Sequence, residues 1–122
     1  MKAEDTMATE FLELGPESAN ATILLAHGAG APMDSPAMTA IADALAEKGL
    51  RVVRFEFSYM ANRRTEGTRK PPPRAEKLNS EYLAAIQALQ LDGPLLIGGK
   101  SMGGRVASMI ADQLFEADRI AG

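Results

Sequence analysis

Few residues in this 122-residue chain are equipped for chemistry, and they fall in two short stretches. Gly99-Lys100-Ser101-Met102-Gly103 sets a serine and a lysine among glycines directly after the apolar run Leu95-Leu96-Ile97. Ile23-Leu24-Leu25-Ala26-His27-Gly28-Ala29-Gly30 carries the sole histidine into a glycine-rich turn. Two machines use such residues. A phosphate-cradling loop needs a glycine, four residues, then glycine-lysine-serine, so that curled backbone N–H groups converge on an anion. Its first glycine would stand at position 94, which is Pro94, and the residues between have the character of a strand. The other machine is G-x-S-x-G, a strained strand-to-helix turn in which small residues two positions either side of the serine let strand and helix approach. Gly99 and Gly103 meet that need, and Ser101 is the candidate nucleophile.

Acyl transfer by a serine also requires N–H donors for the developing oxyanion and a base for the hydroxyl proton. The turn after Ala26 offers one donor, the Ala29 N–H with Gly28 as the alternative, and Met102, directly after the serine, offers the other. Gly28-Ala29-Gly30 read as a dinucleotide fingerprint would need glycine or alanine at position 33, which is Met33. His27 has three readings. It shapes the turn through backbone hydrogen bonds, it serves Ser101 as base, or it ligates a metal, and the last lacks a second histidine or cysteine to share the ion. No metal site and no cofactor are expected. Lys100 adjoins the serine, but adjacent side chains point apart, so a solvated or carboxylate-paired lysine is expected rather than a base. After Ser101 there is no histidine, and the aspartates Asp112 and Asp118 fall on the following helix and just beyond it.

Elements to hold these residues can be read from the apolar pattern. Ala21–Ala26, Arg51–Phe57 and Pro94–Gly98 are short branched runs that read as strands, the first and third buried on both faces, and the alternation of Thr9–Leu14 suits an edge strand. Asp34-Ser35-Pro36 supplies a cap and a first-turn proline for a helix bearing Met38, Ile41 and Leu45, with Gly49-Leu50 as its left-handed stop. A second helix runs from about Arg74 to Gln90 on Leu78, Tyr82, Ile86 and Leu89. The third runs from Met102 to about Phe115 and should bury Met102, Val106, Met109 and Ile110, after which Arg119–Gly122 opens another strand. Alternation of strands and helices predicts an α/β fold, a mostly parallel sheet with helices on both faces, in one domain spanning 1–122.

LLAHGAG, RVVRFEF with its following loop, and IGGKSMGG together resemble the α/β-hydrolase superfamily, in particular small lidless bacterial hydrolases similar to dienelactone hydrolases. That resemblance covers roughly Ala21 to Ile110. It implies a sheet with the Arg51 strand outside the Ala21 strand and the Pro94 strand on the other side, so that the His27 loop and Ser101 face each other across a crevice. It also implies that His27, Gly28, Gly30, Gly99 and Gly103 support the site, and that the triad acid and histidine follow the nucleophile. Neither aspartate matches a family acid position, and the expectation is an N-terminal portion of the fold, truncated after the elbow helix and inactive or weakly active alone, with an open sheet edge that could recruit a second copy.

The bulk properties narrow the rest. A formal charge of −3 gives no general pull on nucleic acid or anionic lipid, and no run approaches the ~20 apolar residues of a membrane span. Without cysteine there are no disulfides, and a start lacking a signal-peptide core points to the cytoplasm. One basic stretch, Met60–Lys77, holds Arg63, Arg64, Arg69, Lys70, Arg74 and Lys77 around three prolines. It reads as a solvated loop or, alternatively, as a non-catalytic module's binding loop over 63–77. A small acyl compound, an ester, thioester or relative, is the expected partner.

Overall fold

Alternation along the central strands sorts side chains onto two faces of a sheet, and each face is closed by its own helices. The computed structural model describes residues 10–67, 69–91 and 93–122. Strands β1 (Leu12–Leu14), β2 (Thr22–Ala26), β3 (Arg51–Phe55) and β4 (Leu95–Gly99) lie in the order β1-β3-β2-β4. β3, β2 and β4 are parallel, with Leu24 opposite both Val53 and Ile97, while β1 runs antiparallel along β3. The helices are α1 (Pro36–Glu47), α2 (Ser58–Glu66), α3 (Ala75–Ala88) and α4 (Met102–Glu116). Leu24, Ala26, Val53 and Phe55 pack with Leu78, Tyr82 and Ile86 of α3 and Val106, Ile110 and Leu114 of α4. On the opposite face Leu25 and Val52 pack with Met38 and Ala42 of α1. The α/β arrangement with helices on both faces is therefore the observed one, and the Arg51 strand and the Pro94 strand flank the Ala21 strand as expected. Thr9, placed by the sequence pattern in the edge strand, lies outside the described residues.

Local signals set several of the boundaries. Ser35 caps α1 by accepting from the Met38 N–H at 3.3 Å, and Pro36 follows it. Gly49, at φ +94°, stops the helix: its N–H bonds Ala46 O at 2.9 Å and that of Leu50 bonds Leu45 O at 3.3 Å. Asp118 performs the same service for α4, at φ 59°, with its N–H on Phe115 O and that of Arg119 on Leu114 O.

Tertiary contacts changed five readings. Residues 58–66, of which the sequence reading placed 60–66 in a solvated loop, form α2, so much of the basic stretch 60–77 is helical. This helix has only Tyr59 and Met60 buried, adjacent rather than at helical spacing, and no side-chain cap of its own. Its start is capped from α3, where Glu81 accepts from the Ser58 N–H at 2.6 Å and from the Ser58 hydroxyl at 2.8 Å. β3 accordingly ends at Phe55, two residues short of the expected Phe57. β4 is half-buried after Leu95, because it borders the sheet rather than lying within it. Met109 is 46% exposed, since α4 presents Gly103, Val106, Ala107, Ile110 and Leu114 inward and Met109 falls off that stripe. Beyond α4 the main chain of 121–122 lies along β4, with the Ala121 N–H on Leu95 O at 2.7 Å and the Ile97 N–H on Gly122 O at 2.9 Å. Part of the edge expected to be open is thus occupied by the chain's own backbone. Among the described residues no helix is long and apolar enough to cross a membrane.

Candidate active site

Ser101 sits where β4 turns into α4, exposed, at φ 54° and ψ −115°. A side chain other than glycine's is held there only when its surroundings over-determine the backbone, at a cost of about 1–3 kcal/mol. Those surroundings are two glycines. A Cβ on Gly99 would lie 2.5 Å from the Gly103 carbonyl carbon and 2.7 Å from Ala26 O, and one on Gly103 would lie 2.5 Å from both Ala26 O and His27 O. Backbone therefore touches backbone at this turn, which is the steric requirement read from the pentapeptide. The loop after β2 meets the serine directly, for a Cβ on Gly28 would stand 3.8 Å from Ser101 Cβ. The His27–Gly30 loop and Ser101 are thus brought side by side at the C-terminal ends of β2 and β4.

His27 is fully buried and both ring nitrogens are engaged. Nε2 accepts from the Phe57 N–H at 3.1 Å, so the proton resides on Nδ1 and is donated to Gly28 O at 2.6 Å. Burial holds its pKa below the ordinary 6.5, keeping the ring neutral. The ring has no lone pair left for Ser101, and of its three readings the backbone-bonding one describes the geometry. What it accomplishes follows from peptide planarity: Gly28 C=O and Ala29 N–H belong to one trans unit and point opposite ways. With the carbonyl tied to His27, the Ala29 N–H is directed away from the imidazole.

Neither the Ala29 N–H nor the Met102 N–H donates to another main-chain group among the described residues. In the first turn of α4 the Gly103 N–H returns to Lys100 O and that of Arg105 to Ser101 O, so Met102 keeps its donor unspent at the positive end of a 15-residue helix. Ala29 and Gly30 are exposed, Gly28 is buried, and Lys100 is exposed. Asp112 points to solvent from α4 and Asp118 terminates that helix, so neither approaches the role of a histidine's partner. Among the described residues no cluster of three His, Asp or Glu side chains is placed to share a metal ion.

Beneath the loop lies an ionic clamp that the sequence pattern left unread. Arg54 and Glu56, two apart on and just after β3, take the two polar groups of Met33: Glu56 Oε2 accepts its N–H at 3.1 Å, and Arg54 Nη1 donates to its carbonyl at 3.2 Å. Arg64, from α2, spans Glu56 at 2.5 Å and Asp34 at 2.7 Å, and its guanidinium holds the Asp34 carboxyl below the usual range. Polar residues alternating with Val53 and Phe55 were visible in RVVRFEF, yet nothing local said that they would reach position 33. A second buried anchor is Tyr82 of α3, whose hydroxyl lies 2.6 Å from Leu24 O and 2.8 Å from Gly98 O while accepting the Gly98 N–H at 3.0 Å, joining β2 to β4 beneath the serine turn. Tyr59 of α2 reaches the loop itself, donating to Ala29 O at 2.9 Å. A hollow of about 270 Å³ lined by Gly30, Pro32, Met60, Arg63 and Arg64 opens beside that loop and does not include Ser101.

A sheet of parallel strands whose order of addition switches sides at β2, with a strained serine after β4 and a glycine loop beside it after β2, is the architecture of an α/β-hydrolase. Residues 19–122 match the family described as alpha/beta hydrolase domain, and the chain belongs to that family. It is similar in structure to Est1E from Butyrivibrio proteoclasticus with ferulic acid bound, with a TM-score of 0.69 and 20% identity over 92% of this chain and 45% of that one. Alpha/beta hydrolase domain-containing protein 10 from mouse is similar at a TM-score of 0.61 and 18% identity, over 90% of this chain and 41% of that one. The chain thus spans less than half the length of these structures. No curated protein matches it in sequence.

Proposed function

We propose that the protein is a serine hydrolase acting on an ester, thioester or related acyl bond, with Ser101 as nucleophile and the main-chain N–H groups of Ala29 and Met102 as oxyanion donors. The observation that carries this reading is the strained, exposed Ser101, with Gly28 packed against it and two main-chain donors nearby that other backbone groups leave unspent. Ser101 Oγ adds to the carbonyl carbon as its proton leaves to a base. The carbonyl oxygen becomes an alkoxide held by the two N–H groups and the positive end of α4; as it collapses, the proton taken by the base passes to the departing oxygen or sulfur, which leaves as alcohol or thiol, and an acyl-serine remains for water to cleave. Preorganised donors of this kind contribute about 3–4 kcal/mol each where they have been removed singly.

A base is the element that the described residues do not bring to the serine, because the one histidine is committed at both nitrogens. The 122 residues alone should therefore acylate slowly, with hydroxide supplying the proton acceptor. A fluorophosphonate reporter tests this. Ser101 should be the residue modified, Ser101→Ala should abolish modification, and the rate should rise about tenfold per pH unit from neutral to mildly alkaline conditions, as for an unassisted serine. Modification that survives Ser101→Ala, or none after prolonged alkaline incubation of folded protein, refutes the assignment. The ferulic acid held by Est1E makes aryl carboxylic esters the first substrates to try.

A further inference from the structure

The two donors in that reading come from different elements, Ala29 from the loop after β2 and Met102 from the start of α4, and something must set the distance between them. One side chain touches both residues. The Tyr59 hydroxyl lies 2.9 Å from Ala29 O and 3.9 Å from Met102 Sδ. The residue is 8% exposed, and its ring leans on the His27 ring at 5.9 Å between centroids and is covered by the Arg63 guanidinium at 5.3 Å. Burial raises its pKa, so the hydroxyl keeps its proton and has a donor to give.

We propose that Tyr59 is a positioning residue of the oxyanion site, its hydroxyl fixing the Ala29 backbone against Met102. This rests on the reading of Ala29 and Met102 as donors. The argument is one of dihedral control. Ala29 has two soft backbone angles, one on each side of its Cα. The peptide before it is held through Gly28 O by His27 Nδ1, and the peptide after it through its own carbonyl by Tyr59. With both planes tied, both backbone angles of Ala29 are constrained, and its N–H is held in place relative to Met102. The two ties share a foundation, because His27 Nε2 is bonded to the Phe57 N–H, two residues before Tyr59. The junction of β3 and α2 thereby grips the loop at two points, and the Tyr59 hydroxyl lies against the Met102 side chain as well. A donor is effective only within hydrogen-bond reach of the oxygen as it becomes an alkoxide, and a displacement of about 1 Å costs orders of magnitude in rate.

Tyr59→Phe keeps the ring, its contacts with His27 and Arg63, and removes only the hydroxyl. In a ¹H–¹⁵N spectrum of the whole chain the amide signals of Ala29, Gly30 and Met102 should move while those of α1 and β1 stay in place. With the fluorophosphonate, kinact should fall about tenfold at unchanged KI, since the reagent's phosphoryl oxygen takes the oxyanion position while its leaving group and tail bind elsewhere. Met102→Leu, which retains the Tyr59–Ala29 bond and both N–H groups, should shift signals at the start of α4 and leave Ala29 unmoved. Ala29 and Met102 signals unmoved in Tyr59→Phe overturn the proposal, as does a loss carried wholly by KI. Loss of the fold in Tyr59→Phe, or Ala29 displaced by Met102→Leu, equally overturns it, because the hydroxyl would then support the packing generally. If the wild-type chain takes no fluorophosphonate, the hydrolase reading fails by itself, while the amide shifts still report whether Tyr59 holds the loop.

Discussion

Gly103→Ala is the sharpest test of the serine turn, because two effects of opposite sign meet there. Gly103 lies in the first turn of α4, where replacing glycine by alanine ordinarily stabilises a helix by up to about 1 kcal/mol. The new methyl, however, would stand 2.5 Å from Ala26 O and 2.5 Å from His27 O, both main-chain atoms that no side-chain rotation can move aside. An ordinary contact requires nearly an ångström more, so the start of α4 must lift from the end of β2. Overpacking of this kind costs about 1–3 kcal/mol, and two rigid obstacles argue for the upper end. The net expectation is a loss of about 2 kcal/mol, which for a chain of this length is a fall of roughly 8 °C in Tm. Urea unfolding and calorimetry measure it, with Gly30→Ala as the comparison, since a Cβ there meets nothing within 4 Å. The same lift moves the Met102 N–H, so Ser101 modification should slow in parallel. Gly103→Ala within about 2 °C of wild type would refute the claim that close backbone approach holds the turn.

Three further outcomes follow from the geometry. Ser101→Gly, which places at φ 54° the residue that tolerates it, should gain about 1 kcal/mol or more of stability while losing all reactivity, whereas Ser101→Ala should lose reactivity with no such gain, read by urea midpoints. Tyr82→Phe leaves Leu24 O and the Gly98 N–H and C=O without the hydroxyl that serves them, and should cost about 1–3 kcal/mol by chemical denaturation with the strand order retained. Because His27 has a folded pKa below 6.5, the unfolded chain takes up the proton first; stability is complete above about pH 6.5 and declines as the pH falls through that value toward the folded pKa. Unfolding midpoints at successive pH values test the decline, and imidazole ¹⁵N shifts at pH 6.5 should show the neutral Nδ1–H form.

From the order of residue types alone came the period-2 and helical runs, the Ser35 cap, the Gly49 stop and the glycines flanking Ser101. Each depends on neighbours a few positions away, through backbone sterics and short hydrogen bonds, and so each is written locally. Helix α2 is different. Its two buried residues are adjacent, its cap comes from Glu81, and its arginines bond Glu56, Asp34 and the Lys70 carbonyl, so only the packed molecule makes 58–66 a helix. The fate of His27 was likewise undecided by its place in the chain: which nitrogen accepts depends on the Phe57 N–H, thirty residues away. Residue type and spacing determined that a serine would stand on a strained turn, and the family resemblance implied the glycine loop opposite it. Tertiary structure decided what holds that loop in place, because those bonds join β3 and α2 to residues that sequence distance keeps far apart.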